Sequence, residues 1–450
     1  MNKSHKVILL ILMLFSTFNL LSQEWKNYPY SPNNSLISFP NDEGRHIEEP
    51  TEWWYVFSHL KGKSSGNDYT FMLTFFYRDT LIFDGLRIFN ITNENTGEFF
   101  PDFKPVNYIK NEEDHLEIVA NLQDHIETWK TKKDSTGKLI PFEYSLHASS
   151  KDAVLDIDMN VIKRPLILAD SGYLFQGKNN YTYYYSFTGI EMNGFLTINN
   201  IKEKVSGIGW FDKQYGNFHP EVGEKYEWFS LQLSNGMDIN TWNIFTLDNK
   251  LPFDPKYRLF NAYINDSTSL NTSQFNIEHI SYFYSPDSSR IYGEKFRLTQ
   301  DSLDLDLNIV VQNPNCEPIF PFPFYEGPIY INGSVGAESV TGKGFAELLH
   351  YYKFPIIEFI EPSGYWDYSI PITWTLKNPD DGRPLTYDLL IKNLGETQYT
   401  HIAQNLKDTV FMLDTALLDL NTAYSFMVTA SSKDSFLVDT ILTNGFFKPN

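Results

Sequence analysis

Tyr226-Glu227-Trp228-Phe229-Ser230-Leu231-Gln232-Leu233-Ser234-Asn235-Gly236-Met237-Asp238-Ile239-Asn240-Thr241-Trp242-Asn243-Ile244-Phe245 reads as two extended runs joined by Asn-Gly. Aromatic and branched side chains recur with the period of two that a pleated strand imposes. Asn-Gly between such runs marks a hairpin, because both residues accept the positive φ of a tight turn. A two-residue turn at Asn235-Gly236 sets Phe229 opposite Trp242. It also puts Trp228, Ser230 and Gln232 on a face with Ile239, Thr241 and Asn243. A face mixing polar and aromatic side chains suits the lining of a barrel better than a dry core.

Just upstream, Gly207-Ile208-Gly209-Trp210-Phe211-Asp212-Lys213-Gln214-Tyr215-Gly216-Asn217 reads as a short strand breaking into a glycine-marked turn. Ile208, Trp210 and Asp212 then point the same way. Carboxylates are seldom buried without a partner, and an aromatic wall raises the pKa of an unpaired one. Asp212 is thus either a rim residue that hydrogen-bonds its own turn or a buried acid.

The wider composition agrees with strands throughout. Tyr, Phe and Trp supply 16% of residues. Runs of good helix formers are missing, and Pro, Asn-Gly and Asp-Ser punctuate the extended segments. The formal net charge of -20 argues against nucleic acid or an anionic membrane surface as partner. Cys316 is the single cysteine, so no intrachain disulfide forms and core burial has to hold the fold. Lys3 and Lys6 followed by the apolar run Val7 to Leu14 predict a signal peptide over residues 1–22, with a mature start near Gln23 in the periplasm or outside the cell. No later stretch has the roughly 20 apolar residues that a helical membrane span needs.

Other segments carry candidate chemistry. In Glu52-Trp53-Trp54-Tyr55 the two tryptophans take opposite faces, one for a core and one for a lumen or rim. In the partner run, Phe71, Leu73, Phe75 and Tyr77 share one face, and Thr70, Met72, Thr74 and Phe76 the other. His46 with Glu48 and Glu49 lacks further ligands at zinc-like spacing, so no metal site is expected. Tyr181, Tyr183 and Tyr185 form a ladder that either lines a ligand cavity or caps a core. Gly344-Phe345-Ala346-Glu347 looks like a closing strand with an inward glutamate. The chain carries neither G-x-S-x-G nor H-E-x-x-H, which disfavours the familiar serine and zinc hydrolases.

Glu52-Trp53-Trp54-Tyr55, the Gly-aromatic-Asp-x-x-aromatic-Gly run at 209–216, Trp228 to Leu233 and Gly344-Phe345-x-Glu347-x-x-x-Tyr351 together resemble the carotenoid 1,2-hydratase family and the related AttH-like proteins, often called predicted secreted hydrolases. The resemblance covers residues 39–355. It implies an all-β fold of two lipocalin-like antiparallel barrels packed together, residues 23–195 and 196–357, with an apolar ligand site in or between them. It also implies hydration of an isoprenoid C=C without a cofactor. Asp212 would be the acid, with Trp210, Tyr183 and Tyr185 assisting where the hydratases carry other assisting side chains. Trp53, Trp54, Tyr181, Tyr215, Trp228, Gln232 and Glu347 would contact the ligand.

Residues 360–450 resemble a fibronectin type III domain instead, through Trp374 and the spacing from Leu418 through Thr422 to Tyr424, which matches that family's tyrosine corner. Such a β-sandwich is expected to serve as a spacer or to dock another surface component. Three classes of function remain open: a hydratase or hydrolase acting on a lipophilic molecule, a lipocalin-type carrier, and a cell-surface structural module.

Overall fold

Strand makes up 61% of the chain and helix only 4%, in short 3-10 turns, which bears out the all-β reading. The structure is a computed structural model that describes residues 24–78, 82–218, 223–360, 368–378, 381–443 and 446–448. The expected signal peptide lies outside the described residues.

The first sheet is twelve-stranded and antiparallel, and ten of its strands close into a barrel. Closure depends on the long strand Asn180–Ile198, whose second half pairs with Ala153–Val161 while its whole length follows Ile201–Gly216. Ile201–Gly216 in turn pairs along Thr51–Gly62. The sequence division at 195/196 therefore falls inside a hairpin of the barrel. The change from one sheet to the next comes between Gly216 and Lys225. The two-residue turn Asn199-Asn200, with φ of 49° and 66°, reverses the chain at the expected junction instead of linking two units.

The barrel interior is filled, not hollow. Trp54, Phe71, Leu73, Phe75, Trp129, Tyr185, Phe187 and Phe211 belong to one buried cluster there. The segment ahead of the first strand contributes Trp25, Ile37 and Phe39 to it. Beside this cluster lies a buried ionic network. Glu52 accepts from Arg45 at 2.8 Å and from Lys213, and His46 places its two ring nitrogens 2.7 Å from Glu52 and 3.1 Å from Asp42. Both nitrogens of His46 thus face carboxylates.

The second sheet has nine strands, ordered from Thr268–Thr272 through Asp238–Phe245, Lys225–Leu233, Glu338–Leu348 and Tyr325–Val335 to Asn276–Tyr284. It curls into a half-barrel around its own core of Phe229, Leu231, Phe260, Phe296, Leu307 and Ile329. Its central hairpin differs by one residue from the register expected. Trp228 lies opposite Trp242, and Phe229 opposite Thr241. Leu233 N–H reaches Met237 O at 2.9 Å, so Ser234, Asn235 and Gly236 form a three-residue loop with Gly236 at φ 87°. The extra loop residue moves every partner by one. Trp228 and Ser230 consequently share a face with Trp242 and Asn240.

A third buried cluster joins the two sheets, with Tyr55, Phe57, Met72, Ile88 and Trp210 from the barrel and Trp228, Trp242, Phe345 and Leu349 from the half-barrel. The C-terminal part consists of a three-stranded and a five-stranded sheet that share one core around Trp374, Tyr387, Leu389, Phe426 and Val428. It begins with Ile357–Ile360, slightly before the boundary expected. Tyr424 Oη accepts from Asp419 N–H at 2.8 Å, the corner bond that the sequence spacing calls for. Among the described residues no helix is long and apolar enough to cross a membrane.

Candidate functional site

Outward-facing barrel side chains and one face of the half-barrel enclose a cavity of about 410 Å³. Strand alternation builds the barrel wall: Trp53 and Tyr55 leave Trp54 to the interior, and Met72, Thr74 and Phe76 leave Phe71, Leu73 and Phe75 there. The opposite wall carries Tyr226, Trp228, Trp242, Ile244, Phe322 and Phe324. The site lies between the two sheets, not in a lumen. The closed barrel is occupied by its own side chains.

Three carboxyl groups reach this cavity: Asp212 from the barrel and Glu326 from the half-barrel, both buried, and Glu347 from the half-barrel, half-buried. Asp212 accepts three hydrogen bonds, from Tyr184 at 2.6 Å, Ser186 at 2.5 Å and the Trp210 indole at 2.7 Å. All three donors are neutral, and among the described residues no cation pairs with it. Burial pushes its pKa up to about 7, against the opposing pull of those hydrogen bonds. Tyr184 also links the two sheets, its hydroxyl accepting from Trp228 Nε1 at 3.1 Å and from Asn240 Nδ2 at 2.7 Å. Glu326 accepts from Tyr55 at 2.7 Å, and Glu347 accepts from Tyr226.

Of the residues expected from sequence, Asp212, Trp53, Trp228 and Glu347 line the cavity. Trp210 is fully buried and bonded to Asp212. The others lie elsewhere. Trp54 is in the barrel core with Lys213 Nζ 3.8 Å from its ring centre. Tyr185 is in that core too, donating to Asp42 O at 3.1 Å. Tyr183 stacks on Tyr215 at 4.9 Å, Tyr215 bonds Asp42, and Tyr181 donates to Glu49 at 2.9 Å. Gln232 donates across the sheet junction to Gly209 O at 3.1 Å.

A bulge explains the displaced tyrosines. From the turn at Asn199-Asn200 the strands pair as Ile198 with Ile201 through Ile190 with Gly209, but beyond Thr188-Gly189 the register shifts and Ser186 meets Asp212. Without that shift Tyr185 would lie opposite Gln214 and share the face of Asp212. With it, Tyr184 and Ser186 take those places. Tyr184, Ser186, Tyr55, Tyr226, Asn240, Trp242 and Glu326 were all missed. Tyr55 and Tyr184 could have been found from alternation beside Trp53 and the tyrosine ladder. Glu326 sits in an unremarkable strand and had no local indication.

A closed antiparallel barrel packed on a curled half-barrel, with an acid in the aromatic cavity between them, defines a lipocalin-like fold. The chain belongs to the AttH-like family, which matches residues 30–351. Its fold is similar to that of an AttH protein from Nitrosomonas europaea, at 18% identity and a TM-score of 0.59 over 72% of this chain and 100% of that one. It is also similar to kievitone hydratase from Nectria haematococca, at 16% identity and a TM-score of 0.56 over 72% of this chain and 98% of that one. Comparison with curated proteins finds no match.

Proposed function

We propose that this protein adds water to a C=C bond of a lipophilic, isoprenoid-like molecule held between barrel and half-barrel, with Asp212 as the acid. The observation that carries this reading is Asp212 itself, buried in an aromatic cavity among neutral donors, with a pKa near 7. A carboxyl so placed keeps its proton near neutral pH, where an exposed aspartate has lost it. Transfer of that proton to one alkene carbon uses the π pair to form a C–H bond and leaves a tertiary cation on the other. The faces of Trp53, Trp228 and Trp242 lie in the same cavity to stabilise positive charge. Water then forms the C–O bond and loses a proton. These steps draw on side chains alone. The hydratase among its structural neighbours supports the fold, and the chemistry rests on the site.

The test is incubation with a set of isoprenoid alkenes and alcohols in H₂¹⁸O, with mass spectrometry of the products. Incorporation of ¹⁸O that disappears in Asp212→Asn supports hydration. Tight binding of the same molecules without incorporation would instead establish a carrier. The carrier reading has its own support, since both oxygens of Asp212 already have protein partners and need no reaction to be satisfied.

We place the protein outside the cytoplasm on the strength of residues 1–22, and N-terminal sequencing of the native protein should begin near Gln23. An intact Met1 would remove that placement. The C-terminal sheets are read as a fibronectin type III-like module that docks another surface component.

A further inference from the structure

Glu326 and Glu347 are direct cross-strand partners on Tyr325–Val335 and Glu338–Leu348. Directly opposed like charges destabilise a sheet even at its surface. Here Glu326 is buried and Glu347 half-buried, and neither forms an ion pair among the described residues. Each receives one tyrosine hydroxyl, Tyr55 on Glu326 and Tyr226 on Glu347. The second Glu326 oxygen is buried without any acceptor role. Two adjacent carboxyl groups in such surroundings cannot both ionise, and a proton on the unpartnered Glu326 oxygen resolves the arrangement. Asp212 adds a third acid to the same cavity from the facing sheet.

We propose that Glu326 and Glu347 share one proton as a dyad and that, on the hydration reading above, Glu347 takes the proton of the water that adds to the substrate. The acid and the base then come from different sheets. Asp212 gives its proton to carbon. Water donates a lone pair to the cation, forming the C–O bond, and its O–H pair stays on the product oxygen as the proton moves to Glu347. The dyad then holds two protons, one of which returns through solvent to Asp212. One water is consumed and nothing is oxidised or reduced. Burial and the neighbouring charges agree with this division. The Glu347 charge adds to burial in raising Glu326 well above the usual carboxylate range. Glu347 is raised by burial and by Asp212, against the pull of its hydrogen bond from Tyr226.

The sharing of a proton is tested without any substrate. Full-length protein labelled at glutamate side-chain carboxyl carbons is titrated by NMR, and the two resonances are assigned by their loss in Glu326→Gln and Glu347→Gln. One proton should remain in the pair at pH 7. Glu347→Gln should lower the Glu326 titration by about one unit or more, as for strongly coupled groups. Tyr226→Phe, which keeps both carboxyls, should raise that of Glu347. Two carboxylates ionised at pH 7, or a Glu326 titration unmoved by Glu347→Gln, would overturn the dyad.

The role of Glu347 is tested with farnesol in D₂O and in H₂¹⁸O. Asp212→Asn should lose both deuterium exchange into the terminal alkene and ¹⁸O incorporation. Glu347→Gln should retain exchange while hydration falls about 100-fold or more, the range of general base catalysis. Hydration at the wild-type rate in Glu347→Gln would overturn the base role. If the wild-type protein neither exchanges nor hydrates farnesol, the hydration reading and the base role fall together for that substrate class. The titration still decides the dyad.

Discussion

Asp212→Asn should make this protein more stable in alkali and less stable in acid. In the folded chain the carboxyl has a pKa of about 7 against 3.8 for the ordinary group, because burial disfavours its anion. A carboxyl whose pKa is raised by folding contributes full stability below the unfolded value, and loses it as pH rises through the folded value. The loss should therefore run from about pH 4 to pH 7. Three units at about 1.4 kcal/mol each make this loss about 4 kcal/mol. Asparagine has no proton to lose and escapes it. Its amide nitrogen, however, meets donors from Tyr184 or from Ser186 and Trp210, and one or two hydrogen bonds are lost at about 1 to 2 kcal/mol in total. The variant is expected to be less stable than wild type by about 1 kcal/mol at pH 4 and more stable by about 2 kcal/mol at pH 8.5. Denaturant unfolding of both proteins at several pH values, followed by tryptophan fluorescence, gives the difference. A difference that does not change with pH, or one that grows more unfavourable for the variant in alkali, would refute the buried-acid reasoning.

Tyr184→Phe removes a donor that holds the Asp212 pKa down, so the NMR titration midpoint of Asp212 should rise above its value of about 7. Glu52→Gln leaves Lys213 and Arg45 buried without their anion, and should cost about 3 to 5 kcal/mol in unfolding experiments. Those cations and His46 hold the Glu52 pKa down to about 2 despite burial. Its stabilisation is present above the unfolded carboxylate range and is lost as pH falls toward 2, so acid unfolding of the wild type should be steeper than that of the variant. Tyr424→Phe removes the acceptor of Asp419 N–H and should lower the stability of the C-terminal sheets by about 1 kcal/mol, read as a shifted unfolding transition.

The second sheet supplies half of the site's polar machinery, although its motifs flagged only Trp228, Gln232 and Glu347 as site residues. Asn240, Trp228 and Tyr226 act on the acids through hydrogen bonds that span the junction or edge the cavity. Separate sheets would lose the Tyr184 contacts to Trp228 and Asn240 and the Tyr55 contact to Glu326. The catalytic arrangement proposed above is therefore a property of the packed pair.

By itself the sequence determined what local periodicity and turn chemistry control. The period of two in Thr70 to Tyr77, the opposite faces of Trp53 and Trp54, the common face of Trp210 and Asp212, and the Tyr424 corner all stand in the structure as read. Each is fixed within a few residues by the alternation of a strand or the reach of one side chain. Register and closure were decided elsewhere. The three-residue loop at Ser234–Gly236 moved Trp228 opposite Trp242, and the shift at Thr188-Gly189 exchanged Tyr183 and Tyr185 for Tyr184 and Ser186 beside Asp212. One residue of slip inverts a whole strand, and whether it occurs depends on which face packing across the barrel buries. The division between the sheets, the filling of the barrel and the approach of Glu326 to Glu347 required strands far apart in the chain to meet. No local pattern encodes such meetings, and burial among them is what raises the pKa of Asp212.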